Sequence, residues 1–147
     1  MYQRILVATD GSTLSKKAVS SAIAMAALMQ AELVALKVVP RYPQSYFEGG
    51  IAVPASEITR VEKQWIDHGQ AIVDAVQKTS ESKGVKTKAV TVKSDLISDA
   101  IIATAKKHKC DLIVMASHGR RGIKRVLLGS ETQQVLTHSH IPVLVLR

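Results

Sequence analysis

The sequence predicts an α/β protein: an open five-stranded parallel sheet with helices on both faces. Two observations predict it. Apolar runs of strand length recur at residues 5–8, 33–39, 112–115 and 141–146, with an alternating segment at 85–92. Between them lie segments whose apolar residues recur at helical spacing. Runs that are apolar at consecutive positions are buried on both faces, as strands of a parallel sheet are. The order is therefore β-α-β-α-β-α-β-α-β, which implies right-handed crossovers and two helical layers.

Ile5-Leu6-Val7-Ala8 is bounded by Thr9-Asp10-Gly11-Ser12, so it reads as a buried strand closed by a turn. Ser12 is placed to cap the next helix, about residues 14–30. There Leu14, Ala18, Met25 and Met29 recur at helical spacing, with small residues between them that allow close packing on a sheet. The methionines read as core filler. The second strand ends at Pro40. Residues 41–54 form a long connection carrying Tyr42, Tyr46 and Phe47, three of the five aromatics. A connection of that length is expected to be a mobile flap near a site, a dimer contact or a disordered segment.

Residues 55–83 read as a helix, with Ile58, Val61, Trp65, Ile72, Val73 and Val76 on one face and Gly84 as its stop. Trp65 is expected as a core anchor and His68 as solvent-facing. In residues 85–92, Val85, Thr87, Ala89 and Thr91 alternate with Lys86, Lys88, Val90 and Val92, as in a half-exposed edge strand. Ser94 and Asp95 are placed to cap a helix over 96–108, with Ile97, Ala100, Ile101 and Thr104 inward. Its last turn is cationic, Lys106-Lys107-His108-Lys109, which the helix dipole favours. A strand at 112–115, a short helix at 130–138 and a last strand at 141–146 complete the chain.

The totals bound the function. A chain of 147 residues suits a single domain, residues 1–147, with a real core. Hydrophobic content of 46% and charge of 22% are ordinary for a soluble protein. Met1-Tyr2-Gln3-Arg4 runs into the first strand without a signal-peptide layout, and the longest apolar run, 22–29, is far short of a membrane span. The single Cys110 allows no internal disulfide and suits a reducing cytoplasm, where it reads as a small buried residue. The net charge of +8 brings acidic partners into consideration. With aromatics at 3% and no recognition-helix motif, nucleic acid is not an expected partner.

The stretch M-A-S-H-G-R-R-G-I-K-R-V-L-L-G-S-E-T, residues 115–132, carries the chemistry. Gly119, Gly122 and Gly129 fall within eleven residues, with Arg120, Arg121, Lys124 and Arg125 between the outer two. A strand enters this stretch and a helix leaves it. Glycine-rich loops of that layout hold phosphate, because backbone N–H groups converge on an anion and the helix start points the same way. Ser130 and Gln133 fit a capping box. Ligands of such sheets sit beyond the carboxyl ends of the strands, where strand order reverses. If strands one and four are neighbours, Asp10 faces the glycine loop, and its carboxylate suits ribose hydroxyls or phosphate-bound Mg²⁺. Neither G-x-G-x-x-G nor G-x-x-x-x-G-K-[ST] is present, and T-D-G-S is not a pyrophosphatase loop. The phosphate site is of another type.

With these residues the chain resembles the universal stress protein family along essentially its whole length. I-L-V-A-T-D-G-S is similar to the family's first strand and ligand-contacting turn. V-M-A-S-H-G-R-R-G-I-K-R-V-L-L-G-S-E-T, followed by I-P-V-L-V-L, is similar to its signature second half. Nucleotide-binding members carry G-x-x-G, nine residues, then G-S or G-T. Here Ala116 stands at the first glycine, Gly119 at the second, and Gly129-Ser130 closes the motif. The resemblance implies a Rossmann-like, adenine nucleotide alpha hydrolase-like fold and an adenine nucleotide, usually ATP, often with Mg²⁺ or Mn²⁺. It implies that Ala8, Thr9 and Asp10 meet the nucleoside, that Val38 meets adenine through its backbone, and that Met115 lies at the pocket base. Gly119, Arg120, Gly129, Ser130 and the N–H of Glu131 would hold the phosphates. It also implies a homodimer through the last strand, Val143–Leu146, an edge made safe by pairing with its copy.

No catalytic constellation is legible. His118 has no acid assigned to orient it. His138 and His140 lack a third ligand for a metal. Ser117 and Ser130 read as hydrogen-bond donors and caps. The expected protein is a dimeric nucleotide-binding stress or signalling module with slow turnover at most. The alternatives are an ATP hydrolase or transferase using the same loop, and a nucleotide-free dimer acting through protein contacts.

Overall fold

A computed structural model describes residues 1–43, 53–119 and 128–147. The elements are β1 (Arg4–Ala8), α1 (Thr13–Met29), β2 (Glu32–Val39), α2 (Ala55–Glu81), β3 (Thr87–Lys93), α3 (Ile97–Lys107), β4 (Leu112–Ala116), α4 (Ser130–His138) and β5 (Val143–Leu146). All strands are parallel and lie in the order β3-β2-β1-β4-β5. Val7 of the central strand pairs with Ala35 on one side and Val114 on the other. The α/β class, the parallel sheet and its two helical layers are as the sequence predicts.

Successive strand residues face opposite sides of the sheet. Ile5, Val7, Leu33, Ala35 and Val114 face one side, with Ala18, Ala22 and Ala26 of α1 and Val73 and Val76 of α2. Leu6, Val34, Leu36, Ile113 and Met115 face the other, with Ile101 and Ala105 of α3 and Val135 of α4. Ile5, Leu6 and Val7 have no exposed surface. Each such side chain contributes about 1.5–3 kcal/mol by burial, which anchors the centre of β1 firmly between the two layers. The alanines bring α1 close to β1 and β4. Gly69 does the same for α2, since a Cβ there would stand 2.9 Å from Cγ2 of Val39.

Several local expectations are corrected. No side chain caps α3: Asp95 Oδ1 accepts the Arg41 N–H at 3.0 Å, and Ser94 Oγ accepts that of Leu96 at 3.1 Å. Ile97, expected inward, is 39% exposed. The capping box at Ser130 does not form, because Ser130 is already helical and Gln133 donates to the Leu128 carbonyl at 3.1 Å. β3 begins at Thr87 because the Val85 N–H turns back to the Ser80 carbonyl at 3.0 Å, closing the end of α2. β5 begins after Pro142, which has no N–H for a ladder. Trp65 belongs to neither core cluster; it is half-buried and stacks on Tyr42, ring centroids 6.1 Å apart. Ser12 does cap α1, accepting the Ser15 N–H at 3.2 Å. Of the long 41–54 connection, residues 44–52 lie outside the described residues, and so do the cations Arg120, Arg121, Lys124 and Arg125.

Candidate functional site

Strand order reverses between β1 and β4, and a crevice opens at their carboxyl ends. One wall is the turn after β1. Thr9 extends the ladder, donating its N–H to the Leu36 carbonyl at 2.9 Å. Its buried hydroxyl accepts the Gly11 N–H at 3.2 Å and lies 3.1 Å from the Ser15 hydroxyl. The Ser15 proton goes to the Ser12 carbonyl at 2.9 Å, so Thr9 is the donor in that pair. Gly11 has φ +79°, which a residue with a Cβ reaches only at a cost. That turn places Ser12 to cap α1.

Asp10 bridges the crevice. Its Oδ1 accepts the Ser12 N–H at 2.9 Å. Its Oδ2 is directed at the opposite wall, 2.9 Å from the position a Cβ on Gly119 would take. The carboxylate therefore does face the first half of the glycine stretch, as the topology requires.

The second wall follows β4. The Ser117 N–H continues the ladder to β5, donating to the Leu146 carbonyl at 2.7 Å. Two further hydrogen bonds tie the start of α4 to this wall. The Gly129 N–H donates to the Ser117 carbonyl at 2.7 Å. The Thr132 hydroxyl donates to the Ala116 carbonyl at 2.9 Å. This seats the first turn of α4, whose N–H groups have no preceding turn to bond, beside the crevice. Gly129 is tightly packed, since a Cβ there would meet His118 Cα at 3.2 Å and the Ser117 oxygen at 3.3 Å, and these would have to give by a few tenths of an ångström. Ala116 ends a strand and is not among the described residues with positive φ, so its Cβ brings no backbone strain.

Ala8, Thr9, Asp10, Val38, Met115, Gly119 and Glu131 all line the crevice. Gly129 and Ser130 stand at the start of α4, outside its lining. Arg120 lies outside the described residues. Sequence reasoning did not assign Ser15, Lys37, Ile97, Ile101 or Thr132 to the site, yet they line it. The available signal was Ile97 and Ile101, an i, i+4 pair in the first turns of α3. Lys37 donates to the Val38 carbonyl at 3.0 Å, leaving that oxygen one lone pair.

The crevice encloses about 170 Å³. A cavity of about 150 Å³ takes a benzene ring, so the slot suits one flat ring system between apolar walls. Its polar rim is a carboxylate on one side and a helix start on the other. That combination can hold hydroxyls and an anion. His118 Nδ1 lies 3.2 Å from the Gly119 carbonyl, and among the described residues no carboxylate is bonded to it. Burial pushes the Cys110 thiol up to about 11, which makes it unreactive near neutral pH.

A sequence profile of the universal stress protein family matches residues 1–147. The chain belongs to the universal stress protein family. It is 35% identical to universal stress protein MJ0531 of Methanocaldococcus jannaschii, over all of this chain and 83% of that protein. It is 32% identical to universal stress protein YxiE of Bacillus subtilis, over the full length of both. Among solved structures, universal stress protein UspA from Lactobacillus plantarum superposes with a TM-score of 0.82 at 27% identity, covering 99% of this chain and 98% of that one. A universal stress protein in complex with cAMP superposes with a TM-score of 0.71 at 27% identity, covering 99% and 97%. Among the described residues of this universal stress protein, no helix is long and apolar enough to cross a membrane.

Proposed function

We propose that this universal stress protein binds an adenine nucleotide in the crevice between β1 and β4 and works as a dimeric stress or signalling module, with slow turnover at most. One observation carries the reading: Asp10 Oδ2 and Gly119 close the rim of a ring-sized slot, 2.9 Å separating the oxygen from a would-be Cβ. The adenine would lie among Val38, Ile101 and Met115. Asp10 would accept from ribose hydroxyls. The glycine stretch, through Gly119 and Arg120, and the first turn of α4, through Ser130 and the N–H of Glu131, would hold phosphate, with Gly129, its own N–H bonded to Ser117, allowing the close packing that seats that turn. No group of three or more metal-ligating side chains occurs among the described residues. A Mg²⁺ or Mn²⁺ ion would therefore be held mainly by the nucleotide's phosphates, with Asp10 as one protein carboxylate within reach.

A mononucleotide is the second reading. A relative 27% identical is in complex with cAMP, and a slot of about 170 Å³ would take the base of a mononucleotide as well as that of ATP. Thermal unfolding with ATP·Mg²⁺, AMP and cAMP separates these. A ligand at a hundred times its Kd adds about 2.7 kcal/mol of stability. A shift with ATP alone supports the first reading, and an equal shift with AMP or cAMP the second. No shift with any of them leaves a nucleotide-free module acting through protein contacts.

A further inference from the structure

An apolar concavity larger than the crevice lies elsewhere on the described residues. A groove of about 580 Å³ runs between α1 and α2, on the face of the sheet away from α3 and α4. Val19 and Ile23 form one wall, Ile72 and Val76 the other, and the exposed Ala71 and Ala75 leave room at the mouth. The sequence assigns Ile72 to the core with Val73 and Val76. The core takes Gly69, Val73, Val76 and Ser80 instead, and Ile72 is left half-buried on the side toward α1.

The charge around this groove has one sign. Among the described residues, Lys16 and Lys83 line it with His68, and no Asp or Glu does. The nearby acids of α2 belong to the helix's outer face, where they bond within the helix: Asp67 to Lys63 at 3.0 Å, Asp74 to Gln70 at 2.8 Å and Glu81 to Gln77 at 3.2 Å. Among the described residues neither Lys16 nor Lys83 pairs with an acid. Lys16 sits in the first turn of α1 and Lys83 just beyond the end of α2. Both helices run opposite to the strands, so the two cations mark opposite ends of the groove. From His68 to Thr79 the helix rises about 16 Å, or three turns.

We propose that this groove docks a short amphipathic helix of a partner protein, with acidic residues flanking its apolar face. A third helix is what two splayed helices accept, ridge into groove. Ala71 and Ala75, one turn apart, let its backbone approach. Acids at its two ends meet Lys16 and Lys83. The groove also touches the candidate nucleotide site. Thr9 lines both cavities, and Ser15, in the crevice, precedes Lys16, in the groove. Crevice occupancy is therefore expected to alter docking, a clause that rests on the nucleotide reading.

The test uses three labelled synthetic 16-residue peptides with one Leu/Ala helical face: Glu-flanked, Lys-flanked, and Glu-flanked with a central proline. Fluorescence anisotropy is measured first without nucleotide. The expected result is binding of the Glu-flanked peptide at least tenfold tighter than the other two, weakening as salt rises. Ala75→Glu, a change at an exposed helical position, should abolish it. Lys16→Glu with Lys83→Glu should transfer the preference to the Lys-flanked peptide. Equal binding of all three, no binding, or indifference to Ala75→Glu overturns the proposal. A dimer that Ala75→Glu dissociates would also overturn it, by assigning the groove to a second copy. The second arm repeats the measurement with saturating ATP·Mg²⁺. A severalfold change in peptide affinity supports the link through Thr9, and an unchanged affinity in protein that binds ATP overturns that link.

Discussion

Asp10 and Gly119 meet across the strand-order reversal. Oδ2 of Asp10 lies 2.9 Å from the place a Gly119 Cβ would occupy, while its Oδ1 accepts the Ser12 N–H at 2.9 Å. One carboxylate thus builds the turn that starts α1 and forms the rim of the crevice. Substitution can separate these two roles.

Asp10→Asn keeps an acceptor for Ser12 and removes the charge. The fold should be unaffected. Nucleotide affinity should fall about ten- to a hundredfold, the equivalent of a hydrogen bond to a charged group at about 1.5–3 kcal/mol. Calorimetric titration with ATP·Mg²⁺, beside a thermal melt, measures both. An unchanged affinity removes Asp10 from the site.

The two glycines of the motif should respond differently to the same methyl group. Gly119→Ala presses on the end of a side chain, which can give way, so stability should hold while nucleotide affinity drops. Gly129→Ala presses on His118 Cα at 3.2 Å and the Ser117 oxygen at 3.3 Å, within backbone held by the 2.7 Å Gly129–Ser117 bond. Overpacking of that kind costs about 1–3 kcal/mol, and each kcal/mol lowers Tm by about 2–4 °C in a chain of this size. Differential scanning calorimetry of both variants tests the contrast. Equal melting temperatures would refute the structural role given to Gly129.

That contrast marks where the sequence was legible. Period-two and period-3.6 patterns placed every element, because β1, β2 and β4 are buried on both faces and leave continuous apolar runs. The topology then put Asp10 opposite the glycine stretch. Spacing alone could not show which donors are already used. Gly129 reads as a phosphate-binding glycine, but its N–H is committed to Ser117, and Ser130 is a helical residue rather than a cap. Ile97 looks like core because a wall of an apolar slot carries the same periodicity as an interior. Asp95 failed as a cap for α3 because a distant N–H, that of Arg41, competes for it.

The outer edge of β5 is the proposed dimer contact. Pro142 and Leu146 turn their carbonyls toward β4, accepting from Ile113 at 2.9 Å and Ser117 at 2.7 Å. Alternation along a parallel strand then turns the backbones of Val143 and Val145 outward. Val145→Pro deletes an outward N–H and leaves the β4 ladder intact, the placement at which an edge strand tolerates proline. The variant should remain folded and sediment as a monomer where the parent sediments as a dimer. A parent protein that is monomeric at tens of micromolar, or a variant still dimeric, would sink pairing through this strand.

Stability should fall on mild acidification through one histidine. Burial lowers the His108 pKa from its ordinary 6.5, and Lys88, Lys107 and Arg4 lower it further. Above pH 6.5 both folded and unfolded chains carry this imidazole neutral. Below it the unfolded chain takes up a proton first, so the unfolded state binds more protons and folding stability decreases until the folded pKa is passed. The carboxyls of Glu32, Glu57 and Glu62 are held below 4.5 by hydrogen bonds, chiefly from Lys86, from Arg60 and from the Tyr42 N–H respectively. Their contribution is lost only as pH falls through values below 4.5, whereas the decline from His108 begins at 6.5. His108→Asn keeps the backbone carbonyl that accepts from Arg4 at 2.7 Å and removes the titrating ring. Urea midpoints between pH 7.5 and pH 5 should decline for the parent and stay flatter for the variant; parallel curves would mean that His108 does not set the acid limb.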